Sequence, residues 1–334
     1  MKMKALQIME PGQFTLVEVE KPSVDEHEVL VKIEIVATCP RWDINMLEGK
    51  PMFANRKAIQ QYPLPIGFPG HEAAGTVCAV GAKVTAFAVG DRVAALEHLQ
   101  GNGAYAQYLA YVEKQLIKLP DNVSFKQAVS FELLKCVVMG LNQFADLRGK
   151  SVLVSGLGPA GILAMQIARI WGASAVVGID LSPERLDYVR GLQFGEVVHA
   201  EQLGDRRFDL GYDCVGFAPS IQNVLDHVKE HVVIFGVQKG EVRFGEHSWG
   251  TGLKLEAYRG RPVSEREKQL LLDAVANRGL NMECIQTHTV SFHEYDKAVE
   301  LLKSQTAIKV HFYPGRDFEA AESSEAVHPE AIKQ

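Results

Sequence analysis

The chain has no surplus of positive charge. Its 334 residues carry 35 Lys and Arg against 41 Asp and Glu, for a net charge of -6 and a pI near 6.0. A protein that works on nucleic acid shows a basic footprint, and its absence argues against nucleic acid as the main partner. Cysteine is sparse: Cys39, Cys78, Cys136, Cys214 and Cys284 are odd in number and scattered, which speaks against a disulfide framework. No run approaches the roughly eighteen apolar residues of a membrane span. Met1 to Phe14 has lysines, but Glu10 and Pro11 interrupt any apolar core of signal-peptide length. The expectation is a cytoplasmic protein with no membrane or nucleic-acid partner.

A hydrophobic share of 47% with 23% charged residues is that of a globular chain, and its length suits about two domains. The most informative stretch is Ser151-Val152-Leu153-Val154-Ser155-Gly156-Leu157-Gly158-Pro159-Ala160-Gly161. Four mostly apolar β-formers run into G-x-G-x-x-G, and an apolar helical pattern from Ile162 to Trp171 opens behind it. Gly156 permits a tight turn, Gly158 lets backbone approach a pyrophosphate, and Gly161 allows close helix–strand packing. The phosphates would then meet the free N–H groups at the start of that helix. A second strand, Ala175 to Ile179, ends in Asp180 at about the twenty-residue distance of a ribose-binding acid. A carboxylate there accepts hydrogen bonds from ribose hydroxyls and repels a 2′-phosphate, so it favours NAD over NADP.

Further units alternate strand and helix: Phe208 to Gly216, Ile221 to His227, and Val232 to Gly236. That order predicts a parallel, doubly wound sheet. Before it, Lys4–Ile8, Phe14–Val19 and Glu28–Val36 read as strands of a β-rich region, and Ser124 onward turns helical. Residues Ser264 to Arg278 and Tyr295 to Leu302 read as helices, Ile308 to Phe312 as a closing strand. From Pro314 to Gln334 the chain is polar and is expected to be a mobile tail.

A second constellation lies outside the dinucleotide region. Cys39 follows an apolar strand, His71 and Glu72 sit in a glycine-punctuated block, and Glu132 lies on the helix that leads to the nucleotide region. Thiolate, imidazole and carboxylate are competent zinc ligands, and three of them with an open position is a catalytic layout.

The run Gly70-His71-Glu72, with Gly75, Gly81 and Val84, resembles the signature of zinc-type alcohol dehydrogenases of the medium-chain dehydrogenase/reductase superfamily. The likeness extends through Gly90-Asp91-Arg92-Val93, Gly103-Ala104-Tyr105-Ala106-Gln107-Tyr108, the glycine loop and Ile308-Lys309-Val310. It implies an α/β fold with a GroES-like β-rich catalytic domain, residues 1–134 and 262–313, and a Rossmann domain, residues 135–261, inserted within it. It implies one catalytic zinc held by Cys39, His71 and Glu132, with Glu72 as a fourth acid that exchanges as a ligand or supports the others. A Glu at position 132 leans toward the polyol and sorbitol dehydrogenases rather than relatives that use two Cys and one His. For the cofactor NAD, Pro159 belongs to the glycine loop, Asp180 and Arg185 match adenosine contacts, and Ala160, Val215, Gly236 and Val237 match loops lining the dinucleotide. Relatives are commonly homodimers or homotetramers.

The sequence also departs from the family. Ala94 to Gly103 has no Cys, so no structural zinc is expected. The run Cys39-Pro40-Arg41-Trp42-Asp43 is one residue longer than usual and lacks the hydroxyl of the usual proton relay, whose His position is taken by Asn45. Glu72, Asn45 and Trp42 are therefore the catalytic candidates, with Met52, Phe53 and His98 as further pocket candidates. The implied reaction is hydride transfer between NAD and a secondary alcohol or ketone of a polyol, cyclitol or sugar-like compound. Two alternatives compete with it: a zinc-free, NADPH-dependent quinone or enoyl reductase, and a nucleotide-binding protein without turnover.

Overall fold

The structure is a computed structural model, and it describes residues 1–53, 61–97 and 101–318. The chain forms two compact units, Met1–Glu132 with Gln286–Gln334, and Leu133–Ile285.

The first unit begins with β1 (Lys2–Glu10) and β2 (Gln13–Glu20), an antiparallel pair turning at Pro11-Gly12, where Gly12 takes φ +82°. Then come β3 (Glu28–Ala37), α1 (Pro40–Leu47), β4 (Glu72–Val80), β5 (Arg92–Ala95), β6 (Tyr108–Val112) and β7 (Leu116–Lys118). Strand β3 is buried along most of its length, since β4 runs antiparallel beside it and β6 pairs with its first half. Short α2 (Phe125–Ala128) is capped by Ser124, whose hydroxyl accepts from the Gln127 amide while the Gln127 side chain reaches back. Helix α3 (Phe131–Leu141) carries the chain from one unit to the next.

The second unit holds β8 (Ser151–Ser155), α4 (Pro159–Ile170), β9 (Ala175–Asp180), α5 (Pro183–Leu192), β10 (Glu196–His199), β11 (Phe208–Asp213), α6 (Ala218–His227), β12 (Val228–Ile234), β13 (Lys254–Ala257) and α7 (Glu265–Ala276). Every strand pairing is parallel, in the order β10-β9-β8-β11-β12-β13. Counted within the unit this is 3-2-1-4-5-6, the doubly wound order whose ligand crevice opens at the carboxyl ends of the strands. Covered on both faces, β8 reads as a near-continuous apolar run and not as an alternation.

The chain then returns to the first unit through β14 (His288–Thr289), α8 (Tyr295–Lys303) and β15 (Val310–Phe312). Strand β15 adds to the far half of β3, giving the sheet order β14-β15-β3-β4-β5-β7 with β6 also on β3. At this junction Tyr105, Phe292, Tyr295 and Phe312 are fully buried, with Tyr105 edge-on to the other three at 5.5–5.6 Å. Edge-to-face rings at this spacing are favourable beyond the area they bury.

Two boundaries differ from the sequence reading. The return to the β-rich unit falls at Gln286, not at residue 262, because α7 and the segment after it belong to the second unit: Gln166 of α4 donates to the Asn281 carbonyl and Tyr188 of α5 to that of Cys284. The expected tail is also ordered at its start. Residues 314–318 are helical, and Phe318, 1% exposed, stacks on Phe292 at 5.0 Å. The rest of that tail, like His98, lies outside the described residues. No helix among the described residues is long and apolar enough to cross a membrane.

Candidate metal centre and dinucleotide site

Sheet register gathers the first group. Ala37 at the end of β3 lies opposite Glu72 of β4 on one side and His311 of β15 on the other. Cys39 is two residues beyond Ala37, His71 one before Glu72, and Lys309 two before His311, so all four meet at one end of the sheet. The ligand atoms of Cys39, His71 and Glu72 lie within 4.8 Å of one another. Glu132, in the first turn of α3, brings its Oε2 to 3.9 Å from His71 Nε2. Glu72 is thus in the tight group, with Glu132 beside its imidazole.

The chemistry of these donors fits a cation. His71 Nδ1 is 2.8 Å from the Pro69 carbonyl, which can only accept, so Nδ1 donates there and in the neutral imidazole Nε2 is the nitrogen with the free lone pair. Burial pushes the Cys39 thiol well above its ordinary range, and the Glu72 carboxylate pushes it further. A metal reverses that preference by displacing the thiol proton. Glu72 is 1% exposed; its Oε1 accepts from Lys309 Nζ at 2.5 Å, and its buried Oε2 has no hydrogen-bond partner among the described residues. A buried carboxylate oxygen left open beside a thiol and an imidazole calls for positive charge.

The other candidates of this unit sit around the group in different ways. Trp42 packs edge-on to His71 at 6.1 Å and to Phe68 at 5.6 Å, so its indole flanks the imidazole. Asn45 turns to the loop after α1, donating to the Pro51 carbonyl and to Met52 sulfur. Met52 is buried in the hydrophobic core, while Phe53 is exposed.

In the second unit the loops at the carboxyl ends of β8, β11 and β12 are pressed together. Gly156 takes φ +87°, and a Cβ there would stand 2.6 Å from Val215 Cγ2. A Cβ on Gly161 would lie 1.8 Å from the Gly156 carbonyl oxygen, so only glycine lets α4 start this close to β8. Gly236 meets the Gly216 amide in the same way, and Val237 O lies against Gly216. Above Gly158 the space is open: the nearest atom to a Cβ there would be Arg185 Nη1 at 3.7 Å. Pro159 and Ala160 begin α4 with Gly158 as its N-cap. Asp180 accepts from the Leu157 amide at 2.7 Å through one oxygen and from the Leu181 and Ser182 amides through the other, which ties the acid to the glycine turn. Burial lowers the Arg185 guanidinium, and Asp180 partly offsets it.

Several supporting residues escaped the sequence reading. Lys309 stands between Ile308 and Val310, and a lysine flanked by apolar residues is itself a signal of a buried counter-charge. Asp43 is fully buried and accepts from Tyr105, Tyr295 and the Cys39 amide. Under the dinucleotide loops, buried Asp213 accepts from the Gly216 amide at 2.7 Å and from Ser220 Oγ at 2.6 Å, and Ser155 meets Ser220. Burial raises the Asp213 carboxyl.

Comparison with known proteins identifies the family of both units. Residues 25–121 match the alcohol dehydrogenase GroES-like domain and residues 159–276 the zinc-binding dehydrogenase domain, together more than half of the chain. L-threonine 3-dehydrogenase of Francisella philomiragia is 28% identical over 92% of this chain and 98% of its own length. Alcohol dehydrogenase TADH from Thermus sp. ATN1 superposes with a TM-score of 0.79 at 25% identity, over 93% of this chain and 99% of that one. For 2R,3R-butanediol dehydrogenase from Bacillus subtilis the TM-score is 0.81 at 18% identity, over 93% and 99%. With both domain types matched in order along one chain, and with the fold each demands in place, the protein is an oxidoreductase of the zinc-type alcohol dehydrogenase family in the medium-chain dehydrogenase/reductase superfamily.

Proposed function

We propose that this chain is a zinc- and NAD-dependent dehydrogenase that oxidises a secondary alcohol of a polyol, cyclitol or sugar-like compound, or reduces the matching ketone. The observation that carries this reading is the grouping of Cys39, His71 and a carboxylate, with His71 Nδ1 committed to the Pro69 carbonyl. Cys39, His71 and Glu132 hold one zinc per chain, and Glu72, with its open Oε2, serves as the acid that exchanges with them. Zinc in such a site supplies a Lewis acid worth several kcal/mol, and NAD supplies the hydride acceptor. Trp42 offers a flat apolar face beside the imidazole, suited to the C–H face of a sugar-like ring. With Asn45 turned to the Pro51 carbonyl, the proton leaves through Glu72 or water. On the second unit, Gly156, Gly158 and Gly161 cradle the pyrophosphate. Asp180 receives the adenosine ribose hydroxyls, with Arg185, Val215, Gly236 and Val237 lining the site.

The test combines elemental analysis of purified protein with NADH absorbance across polyols, sugars, butanediols and L-threonine. About one zinc per chain and NAD-linked turnover of a polyol-type alcohol support the reading. Turnover of L-threonine alone would keep the dehydrogenase and replace the substrate class. Metal-free protein reducing quinones or enones with NADPH would overturn the reading in favour of a reductase.

A further inference from the structure

We propose that Tyr105, Asp43 and Tyr295 form a single positioning device for both metal-ligand loops, with Tyr105 the residue that touches each. This rests on the reading of Cys39 and His71 as zinc ligands. Asp43 Oδ1 accepts from the Tyr105 hydroxyl at 2.5 Å and from the Tyr295 hydroxyl at 2.7 Å, and its Oδ2 accepts from the Cys39 amide at 2.8 Å. All three side chains are 0% exposed. Burial raises the Asp43 carboxyl, and the Tyr105 and Tyr295 hydroxyls and the Cys39 amide that donate to it offset part of that rise. A buried carboxyl in an aromatic core is costly unless its hydrogen bonds are made, and apolar residues would fill that volume at least as well, so packing alone does not account for it. What only an acceptor at this place does is pin the backbone of Cys39.

The same tyrosine holds the second loop by a different contact. A Cβ on Gly70 would stand 2.6 Å from Tyr105 Cδ1 and 2.7 Å from its backbone nitrogen, so the ring lies directly on the glycine that precedes His71. The Tyr105 amide donates to the Gly67 carbonyl at 3.0 Å and the Ala104 amide to that of Gly70 at 2.8 Å, which bolts the two segments together. Tyr105 therefore reaches Cys39 through Asp43 and reaches His71 through Gly70. Tyr295, arriving on α8, locks the arrangement from the far end of the chain. The distance between thiol and imidazole is set by this hub before any metal arrives.

The experiment is zinc affinity by chelator competition on the full chain, with the sulfur-to-metal absorption band of the cobalt-substituted protein as a direct report of Cys39 ligation. Tyr105→Phe keeps the ring on Gly70 and removes only the hydroxyl, and Tyr295→Phe removes the other phenol. Each is expected to weaken zinc binding by about tenfold, and Asp43→Asn by about a hundredfold, with an altered cobalt band, as for losses in the shell that orients metal ligands. Phe292→Leu is the control: its ring meets Tyr105 at 5.6 Å, so the change lowers the thermal midpoint while the zinc Kd of the folded protein stays put. Should Asp43→Asn fail to fold, the two phenylalanine variants carry the test. Both holding zinc within twofold of wild type, with an unaltered cobalt band, would overturn the hub alone. A wild type that holds no zinc would overturn the hub together with the metal reading beneath it.

Discussion

The glycine loop of the second unit comes from one unbroken run, β8 into α4, whereas the metal group of the first draws on residues 39, 71, 72, 132 and 309. Much of the loop's geometry is local: Gly161 lies on Gly156 five residues earlier, with the Ile179 carbonyl and Asp180 of the neighbouring strand and Val215 of the next loop holding it from outside. The metal group is instead a product of register. A one-residue slip of β15 against β3 would turn Lys309 to the opposite face and leave Glu72 buried without its counter-charge. The contrast suggests that damage in the first unit spreads to stability and metal retention together, while damage in the second stays confined to coenzyme handling.

The strongest way to break that contrast is through the two glutamates. Glu132→Ala is expected to lose most of the zinc and nearly all turnover, while NAD binding, followed by fluorescence titration, stays unchanged because the glycine loop is untouched. Glu72→Gln leaves Lys309 buried beside a neutral amide, and removing one member of a buried pair costs about 3–5 kcal/mol, read as a lower midpoint in denaturant. If Glu132→Ala retains about one zinc per chain and near-normal turnover, the third ligand is Glu72. If it loses NAD binding as well, the independence of the two sites is wrong.

A smaller effect is expected at Asp180. The wild type should prefer NAD over NADP by at least about tenfold in kcat/KM, some 1.4 kcal/mol, since a 2′-phosphate would face this carboxylate. Asp180→Ala should erase most of that preference. Because Asp180 also accepts from the Leu157 amide, a rise in KM for both coenzymes accompanies the change. Equal use of NADP by the wild type would remove the carboxylate from its assigned role.

Least of all should change at Asn45. Its amide is committed to Pro51 and Met52, so Asn45→Ala is expected to alter kcat by only a few-fold, well short of the roughly 10²–10⁴ lost with a general base. A fall of that size, with zinc content and fold intact, would put Asn45 on the proton path and bring the first unit closer to the usual relay.

How far each site could be read from the sequence follows the same division. The dinucleotide loop was legible because turn, phosphate approach and helix packing are all properties of consecutive residues, and Asp180 stands at a fixed spacing behind them. Cys39, His71 and Glu72 were legible as residue types, but the pairing of Glu72 with Lys309 joins positions 237 apart and exists only once β3, β4 and β15 are aligned. The boundary at Gln286 was hidden because an amphipathic helix such as α7 looks alike whichever core it covers. Phe318 was lost in a polar, Glu-rich stretch, and its stacking on Phe292 is a matter of shape that composition does not record.

The return of the chain at Gln286 also sets an order of assembly. The second unit is one continuous segment, complete once Ile285 has been made, and such segments fold as they emerge during synthesis. The first unit has to wait. Its opening strands precede the second unit, yet Tyr295, Lys309 and β15 are made only after it, and until then Asp43 lacks one of its donors and Glu72 its counter-charge. The nascent protein thus acquires a finished nucleotide fold while the group of Cys39, His71 and Glu72 is still unset, and on the proposed reading of that group zinc capture becomes a late event in its biogenesis.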